Sequence, residues 1–194
     1  MKTKLFILLF VFLGIQFSKA QKENSSPTQL SIEIDPATFF MNGYGIHLRL
    51  KPKHCTHALF GIGVYALDLP KQLIDLNTKN KDKNWNLRIK QGVSLFAEHH
   101  FKEVNEKWFT GIQLGLQTFE LEKNNINKKQ EYTNVLSMGY IGYTFTPFNS
   151  NIYIKPWLGL GYTQKISGDN KINNESYNIA PLTYFATLHI GYTF

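Results

Sequence analysis

Ser94, Glu98 and His100 share one face of an extended chain, and together they have the composition of a hydrolytic triad. Their spacing argues against that use. At ~3.3 Å per residue, Ser94 and His100 would stand about 20 Å apart along a strand, beyond hydrogen-bonding reach. His47, His100 and His189 fall on the inward parity of three strands that are not neighbours, and no spacing matches a structural zinc site. His54 and His57 flank Cys55 in a short turn, where only adventitious metal binding is expected. A single Cys excludes an intramolecular disulfide framework and a Cys-based zinc centre. Gly61-x-Gly63 and Gly159-x-Gly161 lack the third glycine and the following helix of a dinucleotide fingerprint. No residue is therefore assigned a catalytic, cofactor-binding or metal role.

Charged residues give a second set. Glu33, Asp35 and Glu98 share the expected inner face of their strands with Arg49, Arg88, Lys90 and Lys155, and Gln113 and Gln117 join them. Unpaired charges in such a place are costly, so the reading is an internal ion-pair and hydrogen-bond network. A proton or ion pathway is the functional alternative.

The elements that carry these residues alternate with period two. Leu30, Ile32 and Ile34 form the first apolar face, and Tyr44, Ile46, Leu48 and Leu50 the second. The third is Phe60, Ile62, Val64 and Ala66, and the fourth Leu87, Ile89, Val93, Leu95 and Ala97. Trp108, Ile112, Leu114 and Leu116 make the fifth, and a less regular segment near 132–145 the sixth. Ile152, Ile154, Leu158, Leu160 and Tyr162 are the seventh, and Tyr184, Ala186, Leu188, Ile190, Tyr192 and Phe194 the eighth. Pro156 removes a ladder donor inside the seventh, so a bulge or a rim position is expected there.

Connections at 52–56, 102–107 and 146–151 are short. Those at 36–43, 68–85, 122–131 and 164–180 are longer and polar, with a helical turn or two expected within 70–77. An even number of amphipathic strands with short turns at one end and longer loops at the other predicts an all-β chain: an eight-stranded antiparallel up-and-down transmembrane β-barrel. Closure satisfies the backbone in lipid. Because the more polar face carries Gly, Gln, Thr and charges, the apolar face is assigned to hydrocarbon. A secreted soluble ligand-binding barrel would reverse that assignment. Two aromatic belts are expected: Phe101, Trp108, Phe145, Phe148, Tyr192 and Phe194 near the short turns, and Tyr44, Tyr65, Trp85, Phe119, Tyr132, Tyr162 and Tyr184 near the long loops. Of the second group, Tyr65 and Phe119 have inward parity.

Residues 1–20 read as a secretory signal peptide. Lys2 and Lys4 precede an apolar stretch from Leu5 to Leu13, and Ser18-Lys19-Ala20 gives small residues at the cleavage positions. The stretch is short for a membrane helix, which takes about 20 apolar residues. An uncleaved anchor is the alternative. Residues 21–194 form the barrel domain. Removing the first 20 residues takes away three lysines and no acid, lowering the formal charge from +7 to +4. That excess suits anionic surfaces and gives no sign of nucleic-acid binding.

The pentapeptide Ile141-Gly142-Tyr143-Thr144-Phe145 recurs as Ile190-Gly191-Tyr192-Thr193-Phe194. The second copy, with apolar residues stepping back by twos from Phe194, resembles the terminal β-signal of bacterial outer-membrane proteins. That resemblance implies recognition by the outer-membrane assembly machinery through Phe194 and Tyr192. Across residues 21–194 the chain resembles the small eight-stranded outer-membrane barrels of the OmpX/OmpA-like type. More narrowly, Ile34-Asp35-Pro36-Ala37-Thr38-Phe39-Phe40, Ile154-Lys155-Pro156-Trp157 and Gly191-Tyr192-Thr193-Phe194 are similar to an uncharacterised Bacteroidota barrel family, which implies no activity.

These readings converge on a monomer exported to the bacterial outer membrane and in contact with membrane lipids and lipopolysaccharide. Eight strands enclose an interior just wide enough for side chains, which excludes a wide solute pore. The function expected is non-enzymatic, with surface loops serving envelope integrity or surface contacts and no cofactor. Lys79, Lys81, Lys83, Lys128, Lys129, Lys165 and Lys171 in those loops suit anionic head groups. The alternative is a lipid-A-modifying barrel enzyme. Deacylases of that shape use a His-x-Ser pair, and no His here has Ser two residues later.

Overall fold

The computed structural model describes residues 26–124, 126–147 and 150–194. The signal-peptide reading of 1–20 and the belt assignment of Phe148 lie outside them. The barrel strands are β1 (Gln29–Ile34), β2 (Tyr44–Lys51), β3 (Ala58–Asp68), β4 (Trp85–His100), β5 (Lys107–Lys123), β6 (Ile126–Thr144), β7 (Ile152–Gly168) and β10 (Leu182–Thr193). Each pairs antiparallel with its chain neighbour, and β1 closes the ring on β10. From Ile32 the ladder runs through Leu48, Ile62, Leu95, Leu114, Ser137 and Tyr162 to Leu182, whereas the direct partner of Ile32 on β10 is Tyr192. The offset from Leu182 to Tyr192 is the stagger that closure of tilted strands demands.

Alternation does what the sequence predicts over the lower and middle barrel. Leu48, Ile62, Leu95, Ile112, Leu114, Leu116, Leu158 and Leu160 are exposed on the outside, while Glu33, Arg49, Glu98, Gln113 and Lys155 are buried within. A closed sheet that is apolar outside and ionic inside is stable only with hydrocarbon around it. Trp108, Phe145, Tyr192 and Phe194 form an exposed aromatic girdle at the short-turn end. Both copies of the repeated pentapeptide end there, with Tyr143 against Phe145 and Tyr192 against Phe194.

Four expectations are corrected. Lys90 is an extra residue on β4: between Ile89 and Gln91 the register against both β3 and β5 slips by one. A one-residue slip reverses every side chain beyond it. Leu87 and Ile89 therefore turn inward, while Arg88 and Lys90 leave the inner face for Asp68 and Glu131 at the rim. Second, segment 122–131 is mostly strand, since β5 and β6 continue pairing as far as Lys123 and Ile126. β7 likewise runs to Gly168. Third, Pro156 is neither bulged nor at the rim. It sits in unbroken register opposite Leu188, and only the β6 side of the ladder is interrupted, resuming at the Phe145–Ile154 bridge. Fourth, Trp85 and Tyr132 are buried rather than lying in the upper belt, whose outward members are Tyr44, Tyr162 and Tyr184.

The long connections are folded. Asp35 ends β1 and caps helix α1 (Pro36–Phe40), its Oδ1 accepting from the Ala37 amide at 3.0 Å, with Pro36 in the first turn. Helix α2 (Lys71–Ile74) matches the turn expected within 70–77. Between β7 and β10 lies a small hairpin, β8 (Lys171–Ile172) and β9 (Glu175–Ser176). These segments close over an apolar cluster that includes Leu67, Ile74, Trp85, Leu121, Tyr132 and Tyr177. Asn80 ties the cap together, donating to the carbonyls of Ile74 at 3.2 Å and Asn178 at 2.8 Å and accepting from the Asn178 amide at 2.9 Å.

Candidate functional site

The lower bore is filled by two carboxylates and two cations on four strands. Glu33 (β1) accepts from Arg49 Nε at 2.8 Å, Lys155 Nζ at 2.9 Å, Tyr153 OH at 2.9 Å and His189 Nδ1 at 3.0 Å. Glu98 (β4) accepts from Lys155 Nζ at 3.0 Å, Tyr140 OH at 3.0 Å and His100 Nε2 at 3.1 Å, with Arg49 Nη1 at 3.5 Å. Charges balance across this set, as their burial requires. The Arg49 guanidinium also lies over Phe96, at 4.3 Å from the ring centroid. Period-two geometry explains the convergence, because each residue is an inward position of a strand crossing the same level.

A second polar layer lies toward the cap. Gln113 donates to Ser94 Oγ at 2.9 Å, Ser94 Oγ and Tyr65 OH are 3.1 Å apart, and Gln117 donates to Tyr65 OH at 3.0 Å. Ser94 thus bonds to Tyr65 and Gln113, while His100 bonds to Glu98, so the triad geometry does not form. Asp35, expected inside the network, serves α1 as its cap and also accepts from Thr187 Oγ1 at 2.8 Å.

Glu33, His47 and His189 bring three possible ligand atoms within 4.8 Å of one another, the only such group of three or more among the described residues. The hydrogen bonding does not suit a metal. His189 donates through Nδ1 to Glu33 and accepts through Nε2 from Trp157 Nε1 at 3.2 Å, which occupies both ring nitrogens. The His47 ring stacks on it at 4.4 Å. At the short-turn end His57 Nδ1 is spent on the carbonyls of His100 and Lys102. Sequence reasoning missed the two stacked histidines as a pair because β2 and β10 are far apart in the chain and only closure of the ring joins them.

Outside the membrane, burial pushes the Tyr177 phenol up, consistent with its lodging beneath the cap with its hydroxyl donating to the Ile74 carbonyl at 3.0 Å. Lys123, bonded to Glu175 at 2.6 Å, holds that exposed carboxyl below the usual carboxylate range. Lys79, Lys81, Lys128, Lys129, Lys165 and Lys171 are exposed around the cap.

Eight closed strands, an outward apolar face, an aromatic girdle and an ion-paired bore define a small transmembrane β-barrel of the bacterial outer-membrane type. Solved structures share a similar course of chain. The N-terminal β-barrel domain of Pseudomonas aeruginosa OprF is 15% identical, with 86% of this chain and 96% of that one covered, at a TM-score of 0.43. A major outer membrane protein from Thermus thermophilus is 13% identical, with 87% and 100% covered, at 0.48. Neisserial surface protein A is 10% identical, with 88% and 98% covered, at 0.41. No protein-family model matches the chain, and no curated protein does. The narrower likeness to a Bacteroidota family rests on its motifs alone.

Proposed function

We propose that this protein is a non-enzymatic integral outer-membrane barrel that presents a folded, lysine-fringed cap at the cell surface, serving envelope integrity or surface contact. One observation carries the reading: the bore is closed by the Glu33–Arg49–Glu98–Lys155 network, every member of which is buried. A buried, charge-balanced network of this kind rigidifies a barrel and obstructs the passage of solutes. Exposed lysines around the cap suit phosphate-bearing head groups of lipopolysaccharide. Tyr192 and Phe194 are the candidate assembly signal; the Phe194 amide donates to the Leu30 carbonyl at 2.9 Å, joining the last residue to the first strand.

Two measurements test this. Purified protein in planar bilayers is expected to give no discrete conductance steps, and single-channel steps would refute a closed bore. Lipid A from cells with and without the gene is expected to give identical mass spectra; a gained or lost acyl or head-group mass would establish an enzyme instead.

A further inference from the structure

Above the ionic layer the bore is not filled. A cavity of about 400 Å³ lies there, between a floor of His47, Trp157 and Phe96 and a roof contributed by Leu73 of α2. Leu136, Met138 and Ile89 line its walls. The lining also includes both faces of β10, the inward Phe185 and Thr187 and the outward Tyr184 and Ala186. A cavity that touches both faces of one strand passes around that strand's edge.

That edge is where the wall is incomplete. Pairing of β1 with β10 stops at Ile34 opposite Ile190, and among the described residues no strand pairs with 182–188 on that side. Helix α1 takes the place of the missing strand, touching both β2 and β10. Its Ala37 and Thr38 line the opening, and its Phe39 and Phe40 point outward, Phe40 with 92% of its surface exposed.

The level of the opening decides what it meets. Tyr44 on β2 and Tyr184 on β10 are exposed upper-belt residues on either side of it. Ala186 and Leu188 lie further along β10 toward the short-turn girdle, on the hydrocarbon side of Tyr184. The doorway therefore faces acyl chains, not water.

We propose that this cavity holds one acyl chain of a bilayer lipid, admitted sideways between β10 and α1. Its volume falls in the range of ligand sites, roughly 300–1,000 Å³. An empty cavity lined by Leu136, Met138, Ile89 and Phe185 forfeits dispersion contacts that a methylene chain restores. The unpaired ladder edge of β10 supplies amide and carbonyl groups where the ester or amide linkage of the chain would lie, and such groups in hydrocarbon demand a partner. The inference rests on the membrane placement of the barrel and is independent of whether it catalyses anything.

Trp157 on the cavity floor is the reporter. The full chain carrying Trp85→Phe and Trp108→Phe is reconstituted in phosphatidylcholine vesicles with and without brominated acyl chains. A Trp85→Phe, Trp157→Phe chain keeps Trp108 on the lipid face as the standard. Bromine quenches on near contact, so Trp157 is expected to be quenched to an extent comparable with Trp108. Ala186→Phe, which fills the doorway from outside, is expected to restore most of the Trp157 emission, whereas the same bulk at Leu158→Phe leaves it quenched. Heat-modifiable gel migration confirms folding of each variant, and Ala37→Phe closes the doorway from the helix side should Ala186→Phe not fold. Unquenched Trp157 beside quenched Trp108 overturns the proposal. So does quenching by aqueous acrylamide without quenching by bromolipid, which would make the cavity a water pocket. Unquenched Trp108 would overturn the membrane placement itself.

Discussion

Replacing Glu33 by Gln tests whether charge balance holds the barrel together. Glu33 is fully buried and accepts from Arg49, Lys155, Tyr153 and His189 at 2.8–3.0 Å. Glutamine keeps the volume but removes one of two negative charges, so Arg49 and Lys155 are left facing Glu98 alone. Breaking a buried pair by removing one partner costs about 3–5 kcal/mol, because the remaining charge is stranded. With a urea slope of roughly 2 kcal/mol per molar, the unfolding midpoint of the vesicle-reconstituted protein is expected to fall by about 2 M. Glu33→Gln with Lys155→Met makes the bore neutral again and is expected to recover at least half of that loss. The assay is urea unfolding followed by heat-modifiable gel migration and tryptophan emission, read as a double-mutant cycle. Additive losses in the double variant would refute the reasoning, since the cost would then come from lost packing and not from uncompensated charge.

Three further outcomes follow from the geometry. Leu114→Arg, on the lipid face near mid-height, is expected to destabilise the reconstituted barrel by roughly 2–4 kcal/mol, and a neutral result would argue that this face is not in hydrocarbon. Deleting Lys90, the extra residue of the β4 bulge, leaves Ile89, Gln91 and Gly92 in regular alternation, so Trp85, Leu87 and Ile89 are expected to stay inward; Trp85 emission, read in a Trp108→Phe, Trp157→Phe background, is expected to stay unshifted, and a red shift would mean that Lys90 is not the extra residue. Deleting Phe194 is expected to lower the folded fraction recovered from cells while leaving refolding into detergent unaffected, and equal losses in both would make Phe194 a structural residue and not an assembly signal.

How much of this was legible in the sequence depends on whether period two holds. It holds without interruption along β2 and β5, so Arg49, Gln113 and Gln117 are found inside as expected, and Glu33 and Lys155 meet through ring closure. It fails at Lys90, where one inserted residue exchanges the faces of β4, and Arg88 and Lys90 look like network members until pairing with β3 and β5 is known. No residue type marks that bulge, which is a property of three strands together. The packed cap was hidden for a related reason. Lysines and asparagines there read as solvated loops, yet Ile74, Ile172 and Tyr177 are spaced too sparsely to announce a core, and Asn80 is spent on backbone partners from two separate segments.

The shortness of β1 links these layers. Asp35-Pro36 ends the strand for two reasons: proline offers no amide to the ladder, and the aspartate instead caps α1. Had β1 continued beyond Ile34, it would have extended along residues 182–188 of β10 and sealed the wall. A sealed wall over an ion-plugged floor and beneath a packed cap would enclose an empty apolar chamber, which close-packed proteins avoid. The interrupted strand instead opens that chamber toward the bilayer, at the level where Ala186 is small and Tyr184 marks the interface. Asp35 thus has a double position, capping the helix that replaces the strand and accepting from Thr187 across the gap, so that one side chain sets both where the wall ends and how far α1 stands from β10.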